Sequence, residues 1–547
     1  MLKALRIGAA LHLVVLAWLL VVLPAFGFVL GTRPNPALAV EPRLQPGSRL
    51  ERVGATWHCH LAGSARDRGF ACGQLTAPIM ARHEQELFAT LETLVPWFLF
   101  RHLILGVVSF NNRSLESFLL PDEVDAIAGI ARGYRAAGDP HAFVGPTYGR
   151  ILGYHALHDA SQYLIDNPLI NAPHVGCSAV AVLGKRAANG HLLVARLFDF
   201  EGGRSFDFDK VVYTVAPEPQ EGGQPRLRFV HVAWGGVHGA VTGFNEAGLW
   251  ASVNAGISDH FARHGRPLVV AVHRVLETCT TIEEAIAHLT GAPVFVSESV
   301  LLAGPSATGQ PTAVCLELAP GRHHVRAMLD EALLVTNHFL HADWQTDAAN
   351  QSRRAEGTTT ARYARLQARV AALPAHTPES LCEVLRDRSG PDGADFGFGH
   401  RSAINSWIGA HLVVADLTDR VLWVCEPEHG LGTARAFDLA GARPDLPAIP
   451  ASADLALYDR HGSTWRDRLS ATRRLVAARD PGAAAACREL IASNPQHYEP
   501  YGLLARVTPD ASERVELLQQ ALARRPAYAS ERRELEAELQ ALRPAGR

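Results

Sequence analysis

Lysine is nearly absent from this chain of 547 residues: only Lys3, Lys185 and Lys210 occur among its 52 lysine and arginine residues. The formal net charge is only −3, whereas proteins that bind nucleic acid carry a basic excess. We therefore expect no nucleic-acid partner. Hydrophobic residues make up 48% of the chain and charged residues 20%, proportions that exclude a disordered chain and indicate a globular one.

Cysteine is also sparse, and its pattern excludes two classes of small domain. The eight cysteines are spread thinly and include no C-x-x-C pair, so neither a zinc ribbon nor a dense disulfide scaffold is indicated. The even count leaves a disulfide or two open outside the cytoplasm. His58 and His60 would share one face of a strand, but no second cluster at ligand spacing supports a metal there. We expect neither a metal nor a cofactor.

One long apolar run is present near the amino terminus, at residues 7–31. It is long enough to span a bilayer with some tilt. Lys3 and Arg6 precede it, which favours an amino terminus on the inside and the remainder outside. We predict a signal anchor at residues 1–32 that places the rest of the chain on the extracytoplasmic face of a bacterial membrane, periplasmic or outer.

A cleaved signal peptide is the alternative interpretation of the same run. Ala37 and Ala39 form an A-x-A-like cleavage site. That site lies far past an apolar run that is already too long for a signal peptide, so we favour the uncleaved anchor. On either interpretation the bulk of the chain is exported, and under the alternative it is secreted.

The remaining chain divides into a linker, a helical prosegment and a layered domain. Residues 33–50 are rich in proline and read as a tether. Residues 51–176 predict a helical prosegment, because apolar residues recur there at three- and four-residue spacing. From 177 to about 440, short strand-like runs such as 178–183 and 191–200 lie among helices such as 269–291 and 360–373. Strands in runs with segregated helices predict an α+β fold rather than a doubly wound sheet.

Residues 455–547 predict a small domain made only of helices. The stretch NPQHYEPYGLLARV resembles a tetratricopeptide repeat, but Pro495 and Pro526 lie 31 residues apart, short of the usual 34. A plain helical bundle is an equal alternative. A repeat-like domain would offer a surface for a protein partner.

The segment from Gly176 to Phe200 carries the chemistry that we consider most informative. Two strand-like runs flank a turn at residues 187–190 that contains Asn-Gly, a strong hairpin signal. Such a hairpin would place Cys177 beside Arg196 and Asp199. A neighbouring guanidinium favours the thiolate, which is the reactive form of cysteine.

Cleavage of the bond before Cys177 would add a second reactive group to the same residue. The new α-amine has a reference pKa of about 7.7–8.0, which suits a general base near neutral pH. Asp199 could hold and polarise this amine. No histidine is then required.

Cysteine at a strand start followed by R-x-x-D (Arg196 and Asp199) resembles the linear-amide C–N hydrolases. This group includes choloylglycine hydrolases, penicillin V acylases, isopenicillin N acyltransferases and acid-ceramidase-like enzymes. The resemblance implies an αββα N-terminal-nucleophile sandwich in which the first residue of the mature domain is the catalytic nucleophile. It also implies autocatalytic cleavage before Cys177, because 176 residues precede it.

Three further motifs extend the resemblance and nominate further site residues. GFNEAGLWASVN is similar to the family's N-E-x-G-L segment, whose final asparagine, here Asn254, helps to form the oxyanion hole. LLVTNHF is similar to the T-N element and places Asn337 at a second oxyanion position. TTTARYARL resembles the Ser/Thr-x-x-Arg helix and nominates Arg362, with Arg353, Arg354 and Arg365 as competitors.

The resulting hypothesis is an autoprocessed cysteine amidohydrolase or acyltransferase that acts on a linear amide or N-acyl small molecule through a thioester on Cys177. A lipid or ceramide amide would also suit a membrane-tethered enzyme. The alternatives for single residues are an inert buried cysteine, a surface ion pair of Arg196 and Asp199, and turn roles for the two asparagines. The alternative for the whole chain is an exported scaffold with a degenerate hydrolase domain and a partner-binding tail.

Overall fold

The computed structural model describes most of the chain beyond the predicted anchor. The described residues are 40–95, 112–159, 175–219, 226–443 and 445–542, together with the single residues 36, 38, 97, 101 and 162. The predicted anchor at residues 1–32 lies outside them. Within them, no helix is both long and apolar enough to cross a membrane.

Fifteen strands are described, and they form two sheets. Their bounds are β1 Arg49–Val53, β2 Thr56–Gly63, β3 Val175–Val182, β4 Leu193–Phe200, β5 Val211–Pro217, β6 Phe229–Ala233, β7 Thr242–Asn245, β8 Trp250–Ala255, β9 Glu298–Pro305, β10 Pro311–Ala319, β11 Arg322–Ala327, β12 Ala332–Val335, β13 Gly409–Asp416, β14 Val421–Cys425 and β15 Ala434–Asp438. The larger sheet has the order β1-β2-β5-β6-β7-β8-β9-β10-β11, and the smaller has the order β12-β3-β4-β13-β14-β15.

The described helices of eight or more residues surround these sheets or follow them. They are α1 Ala65–Leu75, α2 Ala77–Leu94, α3 Pro121–Ala136, α4 Thr147–His155, α5 Leu268–Thr278, α6 Ile282–Thr290, α7 Ala348–Glu356, α8 Thr359–Ala371, α9 Pro378–Leu385, α10 Trp465–Ala477, α11 Ala483–Ser493, α12 Glu499–Val507, α13 Ala511–Ala523 and α14 Ala529–Leu542.

The elements stack in the order helix, sheet, sheet, helix. An apolar core between the sheets joins residues such as Val194 of β4 to Val230 of β6. A second core packs α1, α3, α5 and α6 on the outer face of the larger sheet, and a third packs α8 and α9 on the outer face of the smaller one. Both sheets are therefore covered on both faces, which explains why strands such as β3 are apolar at nearly every position. The predicted α+β class is confirmed.

The predicted helical prosegment begins with two strands, and this part of the prediction is wrong. TWHCHLAG at β2 pairs in parallel with β5, from Trp57 opposite Val211 to Gly63 opposite Pro217. From His58 to Ala62 its side chains alternate between half-buried and buried positions, a period of two that suits a strand. The helical period in residues 79–95 and 123–138 does correspond to α2 and α3. The segment before Cys177 thus contributes both strands and helices to the layered domain.

The single helix predicted at residues 269–291 is two helices, α5 and α6. Cys279 is extended and ends α5. The side chain of Thr281 then accepts a hydrogen bond from the Glu284 backbone, while the Glu284 side chain bonds back, which forms a capping box for α6.

The helices of the C-terminal segment pack against the layered domain. Trp465 and Leu469 of α10 share an apolar cluster with Phe398 and Trp407 of that domain. Asn494 at the end of α11 makes two hydrogen bonds with the Phe398 backbone, donating to its carbonyl at 2.8 Å and accepting from its amide at 3.3 Å. The predicted helical character of this segment is confirmed, whereas its repeat-like nature stays a prediction.

Candidate active site

The predicted hairpin is present and brings Cys177 beside Arg196. In the antiparallel pair of β3 and β4, Cys177 lies opposite Phe198, and Ala179 lies opposite Arg196. Because side chains alternate between the faces of a strand, Cys177 and Arg196 both point between the two sheets. The Nη2 atom of Arg196 is 3.5 Å from the Sγ atom of Cys177.

Arg196 is fixed by the larger sheet as well as by its own strand. Its Nε donates to the Asn254 Oδ1 at 3.1 Å, and its Nη1 donates to the Val241 carbonyl at 3.0 Å and to the Thr242 hydroxyl. Its Nη2 also donates to the Val253 carbonyl. The side chain is fully buried, so its charge depends on these acceptors. They hold the guanidinium in one position beside the thiol.

The backbone of Cys177 is held by Asn337 and Arg362. The amide of Cys177 donates to the Asn337 Oδ1 at 2.8 Å. Arg362 Nη1 donates to the Cys177 carbonyl at 2.6 Å, and its Nη2 donates to the Asn337 Oδ1 at 2.6 Å. Arg365, one of the competitors, is paired instead with Asp387 at 2.7 Å.

Asn254 and Asn337 are both at the site, but in this uncut chain their amide nitrogens bond to backbone carbonyls. The Nδ2 of Asn337 donates to the Ala255 carbonyl at 2.9 Å. The Nδ2 of Asn254 makes longer bonds, at 3.4 and 3.5 Å, to the carbonyls of Thr336 and Val335. The amide of Asn337 has a second proton that is left for an oxyanion, whereas the Nδ2 of Asn254 is shared between two carbonyls. The Oδ1 of Asn337 is an acceptor for the Cys177 nitrogen.

Asp199 lies on the other face of β4 from the thiol, opposite Gly176 in the ladder. A Cβ atom added to Gly176 would be 2.9 Å from the Asp199 Oδ2 and 3.6 Å from the Arg362 Nη2. Gly176 therefore lets a carboxylate and a guanidinium approach the peptide bond that precedes Cys177. The Oδ1 of Asp199 is buried and makes no hydrogen bond to the described residues.

Burial controls the ionisation of both Cys177 and Asp199. Burial raises the pKa of the Cys177 thiol, against the lowering effect of Arg196. Burial also raises the pKa of Asp199 to about 6, although Arg362, Arg401 and Arg466 each lower it. The uncut chain therefore keeps the thiol protonated near neutral pH.

Aromatic side chains line the space that the thiol faces. Cys177 packs in one buried cluster with Phe198 and Phe206, and the half-buried Phe200 and Trp234 lie against it. The ring centroids of Phe206 and Trp234 are 5.5 Å apart. This lining suits an apolar acyl group.

A cavity of about 1230 Å³ adjoins the site from the other side. Asn337 and Arg362, which hold the backbone of Cys177, line its inner end together with Phe200 and Ile408. This volume exceeds the roughly 300–1,000 Å³ that is typical of small-molecule sites.

Two residues at the site were not identified from the sequence. Thr359 receives the Asn337 amide on its hydroxyl at 2.9 Å, and the Ser/Thr-x-x-Arg spacing to Arg362 could have identified it. His411 lies 2.9 Å from the Thr242 hydroxyl and 3.5 Å from Arg196 Nη1. Burial, followed by the charge of Arg196, lowers the pKa of His411 well below its usual value, so it is neutral.

The His58 and His60 pair does share one face of β2, beside Glu51. The Glu51 Oε1 is 2.9 Å from the His60 Nε2. The guanidinium of Arg49 is also 3.0 Å from that nitrogen, which places a cation where a metal would bind. The eight cysteines are all free, and the Sγ atoms of Cys382 and Cys425 are 3.8 Å apart.

The family comparison agrees with the site geometry. Residues 188–429 match the model of the acyl-coenzyme A:6-aminopenicillanic acid acyl-transferase family. Over these residues the chain is similar to this family. The resemblance to linear-amide C–N hydrolases is thereby confirmed, and the chain is an enzyme of the amidohydrolase and acyltransferase class. The matched residues include Arg196, Asp199, Asn254, Asn337 and Arg362 and begin after Cys177.

Solved structures show a weaker likeness to the chain, and no curated protein matches it. An N-acylethanolamine-hydrolyzing acid amidase ortholog from Caenorhabditis elegans is 13% identical, with 44% of this chain and 93% of that chain covered and a TM-score of 0.32. A mutant conjugated bile acid hydrolase from Clostridium perfringens is 11% identical, with coverages of 48% and 92% and a TM-score of 0.33. The family match alone supports the assignment above.

Proposed function

We propose that this enzyme is an autoprocessed cysteine amidohydrolase or acyltransferase with Cys177 as its nucleophile. The observation that carries the proposal is the position of Cys177 between two fixed groups. Arg196 Nη2 lies 3.5 Å from its Sγ, and the Asn337 Oδ1 accepts a 2.8 Å hydrogen bond from its nitrogen. Arg196 thus contacts the thiol, and Asn337 binds the nitrogen that processing would turn into an α-amine.

The first step is cleavage of the Gly176–Cys177 bond. The Cys177 Sγ attacks the Gly176 carbonyl carbon, the C–N bond breaks, and the thiol proton passes to the Cys177 nitrogen. Water then hydrolyses the thioester, which leaves a carboxylate on Gly176 and a free α-amine on Cys177. The proximity of Asp199 and Arg362 to Gly176 supports this site of cleavage.

The mature enzyme then repeats the chemistry on an external linear amide. The α-amine takes the thiol proton while Sγ attacks the amide carbonyl, and the same proton is returned to the leaving amine. Water resolves the thioester in a hydrolase, and a second amine does so in an acyltransferase. The amide groups of Asn337 and of Asn254, whose two carbonyl bonds are long, stabilise the oxyanion, where one lost donor costs about 100- to 1,000-fold in rate.

Amino-terminal sequencing of the purified protein tests the proposal. Wild-type protein yields a fragment that begins at Cys177, the Cys177→Ser variant yields it more slowly, and the Cys177→Ala variant does not yield it. The matched control is Cys487→Ala, which removes a buried thiol from the C-terminal helices. Amide turnover by the Cys177→Ala variant would refute the assignment.

We also propose that the enzyme acts outside the cytoplasm, held by its amino-terminal anchor. This part depends on the apolar run at residues 7–31. Fractionation of expressing cells tests it, because an anchored enzyme sediments with membranes and is digested by protease added outside the inner membrane.

A further inference from the structure

Cys382 and Cys425 come together in the outer core of the smaller sheet. Cys382 lies on α9, and Cys425 is the last residue of β14. Both side chains are fully buried in the apolar core that packs α8 and α9 on this sheet. Their Sγ atoms are 3.8 Å apart. The sulfur–sulfur bond of a disulfide is about 2.05 Å long, so an approach of about 1.8 Å joins the two atoms.

The guanidinium of Arg386 holds the end of β14 against α9. Arg386 directly follows α9, and its side chain is buried. Its Nε donates to the Gly430 carbonyl at 2.8 Å, and its Nη2 donates to the Gly432 carbonyl at 2.6 Å. The same Nη2 is 3.7 Å from the Cys425 Sγ. These contacts fix Cys425 beside Cys382 in the folded chain.

Other buried thiols of the chain contact groups that contain no sulfur. The Sγ of Cys72 is 3.6 Å from the Tyr213 hydroxyl, and the Sγ of Cys279 is 3.9 Å from the Thr278 hydroxyl. Cys177 faces a guanidinium, as described above. The contact between two sulfur atoms therefore distinguishes Cys382 and Cys425 from these cysteines.

We propose that Cys382 and Cys425 form a disulfide bond when the chain folds outside the cytoplasm. Disulfides persist in exported proteins. One cysteine thiolate attacks the disulfide of an oxidised oxidoreductase or of oxidised glutathione, and the second thiolate then displaces this carrier. The carrier leaves as thiols with the two electrons and two protons that the cysteine pair loses. Because both sulfur atoms are buried in the folded chain, the exchange precedes closure of the core.

The bond ties the helices that position Arg362 to the smaller sheet. Asp387, just after α9, pairs with Arg365 of α8 at 2.7 Å. Arg362 on the same helix α8 donates to the Cys177 carbonyl at 2.6 Å. The two cysteines are 43 positions apart in sequence, and a crosslink that closes a loop of this length restricts the unfolded chain. The disulfide therefore stabilises the layer that carries Arg362 without contacting the active site.

Peptide mapping of the full chain tests the proposal. The protein is purified from the extracytoplasmic fraction of expressing cells, alkylated in denaturant without reduction and digested with trypsin. We expect six of the eight cysteines to be alkylated and residues 370–386 to be crosslinked to residues 421–435. Eight alkylated cysteines, or a crosslink between any other two peptides, overturn the proposal.

Cell-free synthesis separates the bond from the compartment. The full chain is made in a buffer of reduced and oxidised glutathione and, in parallel, in dithiothreitol. We expect the same crosslink in the first buffer and eight alkylated cysteines in the second. Absence of the crosslink in the glutathione buffer overturns the proposal, whatever compartment the chain reaches in cells.

The melting temperature measures what the bond contributes. Wild-type protein made in the glutathione buffer is expected to melt about 3 °C or more above the protein made in dithiothreitol. Cys382→Ala melts at one temperature in both buffers. The control Cys487→Ala, which removes a buried thiol from the C-terminal helices, keeps the difference. Equal melting temperatures for the two wild-type preparations, or a difference that persists in Cys382→Ala, overturn the stabilising role.

The inference goes beyond the proposed function and fails separately from it. Protein that is cut before Cys177 and has eight alkylated cysteines retains the proposed function and loses the disulfide. Crosslinked wild-type protein that is never cut shows the opposite.

Discussion

The guanidinium of Arg196 lies 3.5 Å from the thiol of Cys177, with both side chains fully buried between the sheets. In this environment the thiol is protonated, because burial outweighs the guanidinium in setting its pKa. Under the proposed mechanism, Arg196 is therefore the group that offsets part of the effect of burial and favours the thiolate during attack.

Removal of the charge at position 196 is expected to slow processing. Arg196→Met raises the pKa of Cys177 further, and a rise of one unit corresponds to about a tenfold loss of thiolate. Arg196→Lys keeps the charge and retains measurable cleavage. The rate is read from the appearance of the fragment that begins at Cys177, with the exposed Arg204→Met as control. Equal rates for Arg196→Met and Arg204→Met would contradict this role.

Asn337 is expected to act on processing as an acceptor rather than as a donor. Asn337→Asp keeps an oxygen for the Cys177 amide and for Arg362, so cleavage proceeds within about tenfold of the wild-type rate. Asn337→Leu leaves both donors buried without an acceptor and stops cleavage, since such groups cost about 1–3 kcal/mol each. If Asn337→Asp cleaves as poorly as Asn337→Leu, the acceptor role is wrong.

Asp199 is expected to make stability fall as pH rises from about 4 to 7. Its pKa is about 6 in the folded chain and about 3.9 when unfolded, so only the folded chain binds the proton between these values. This group therefore adds about 3 kcal/mol to the free energy of unfolding below pH 4, and the contribution is lost as the pH rises past 6. Chemical denaturation at pH 4 and 7 measures it in the uncut Cys177→Ala background.

The control for this effect is Asp199→Asn in the same background. It removes the titrating group, so the difference in free energy of unfolding between the two proteins changes by about 3 kcal/mol from pH 4 to pH 7. Parallel pH profiles would show that Asp199 already ionises normally in the folded chain.

The two fragments produced by cleavage are expected to stay together. β2 precedes the cut and is paired in the larger sheet with β5, which follows it. Arg68 of α1, also before the cut, donates a buried hydrogen bond at 2.6 Å to Glu277 of α5, which follows it. The cut protein therefore elutes as one species in size exclusion and separates only in denaturant. Separation in native buffer would contradict this expectation.

The hairpin and its polar groups could be predicted because they depend on local sequence. The Asn-Gly turn lies within the connection between β3 and β4, which runs from Val182 to Leu193, and the antiparallel register of these strands brings Arg196 near Cys177. Asn254, Asn337 and Arg362 were found through motifs, and the structure brings all three to the same hairpin.

Other features could not be predicted because they depend on contacts distant in sequence. The strand β2 gains its ladder partner from β5, about 150 residues later, and a short apolar run does not reveal such a partner. Residues of α10 line the cavity beside the site, and their position depends on packing between Trp465 and Trp407. Arg466 on the same helix has the pattern of a solvated arginine, and only its tertiary position gives it a carboxylate neighbour, Glu201.

The parallel pairing of β2 with β5 also constrains how the enzyme can be produced. A gene trimmed to begin at Cys177 would omit the polypeptide that covers one side of the larger sheet. β5 would then be an open edge with unpaired backbone groups, which is a template for aggregation. Recombinant expression therefore requires the leading polypeptide, either in the same reading frame or supplied from a second gene.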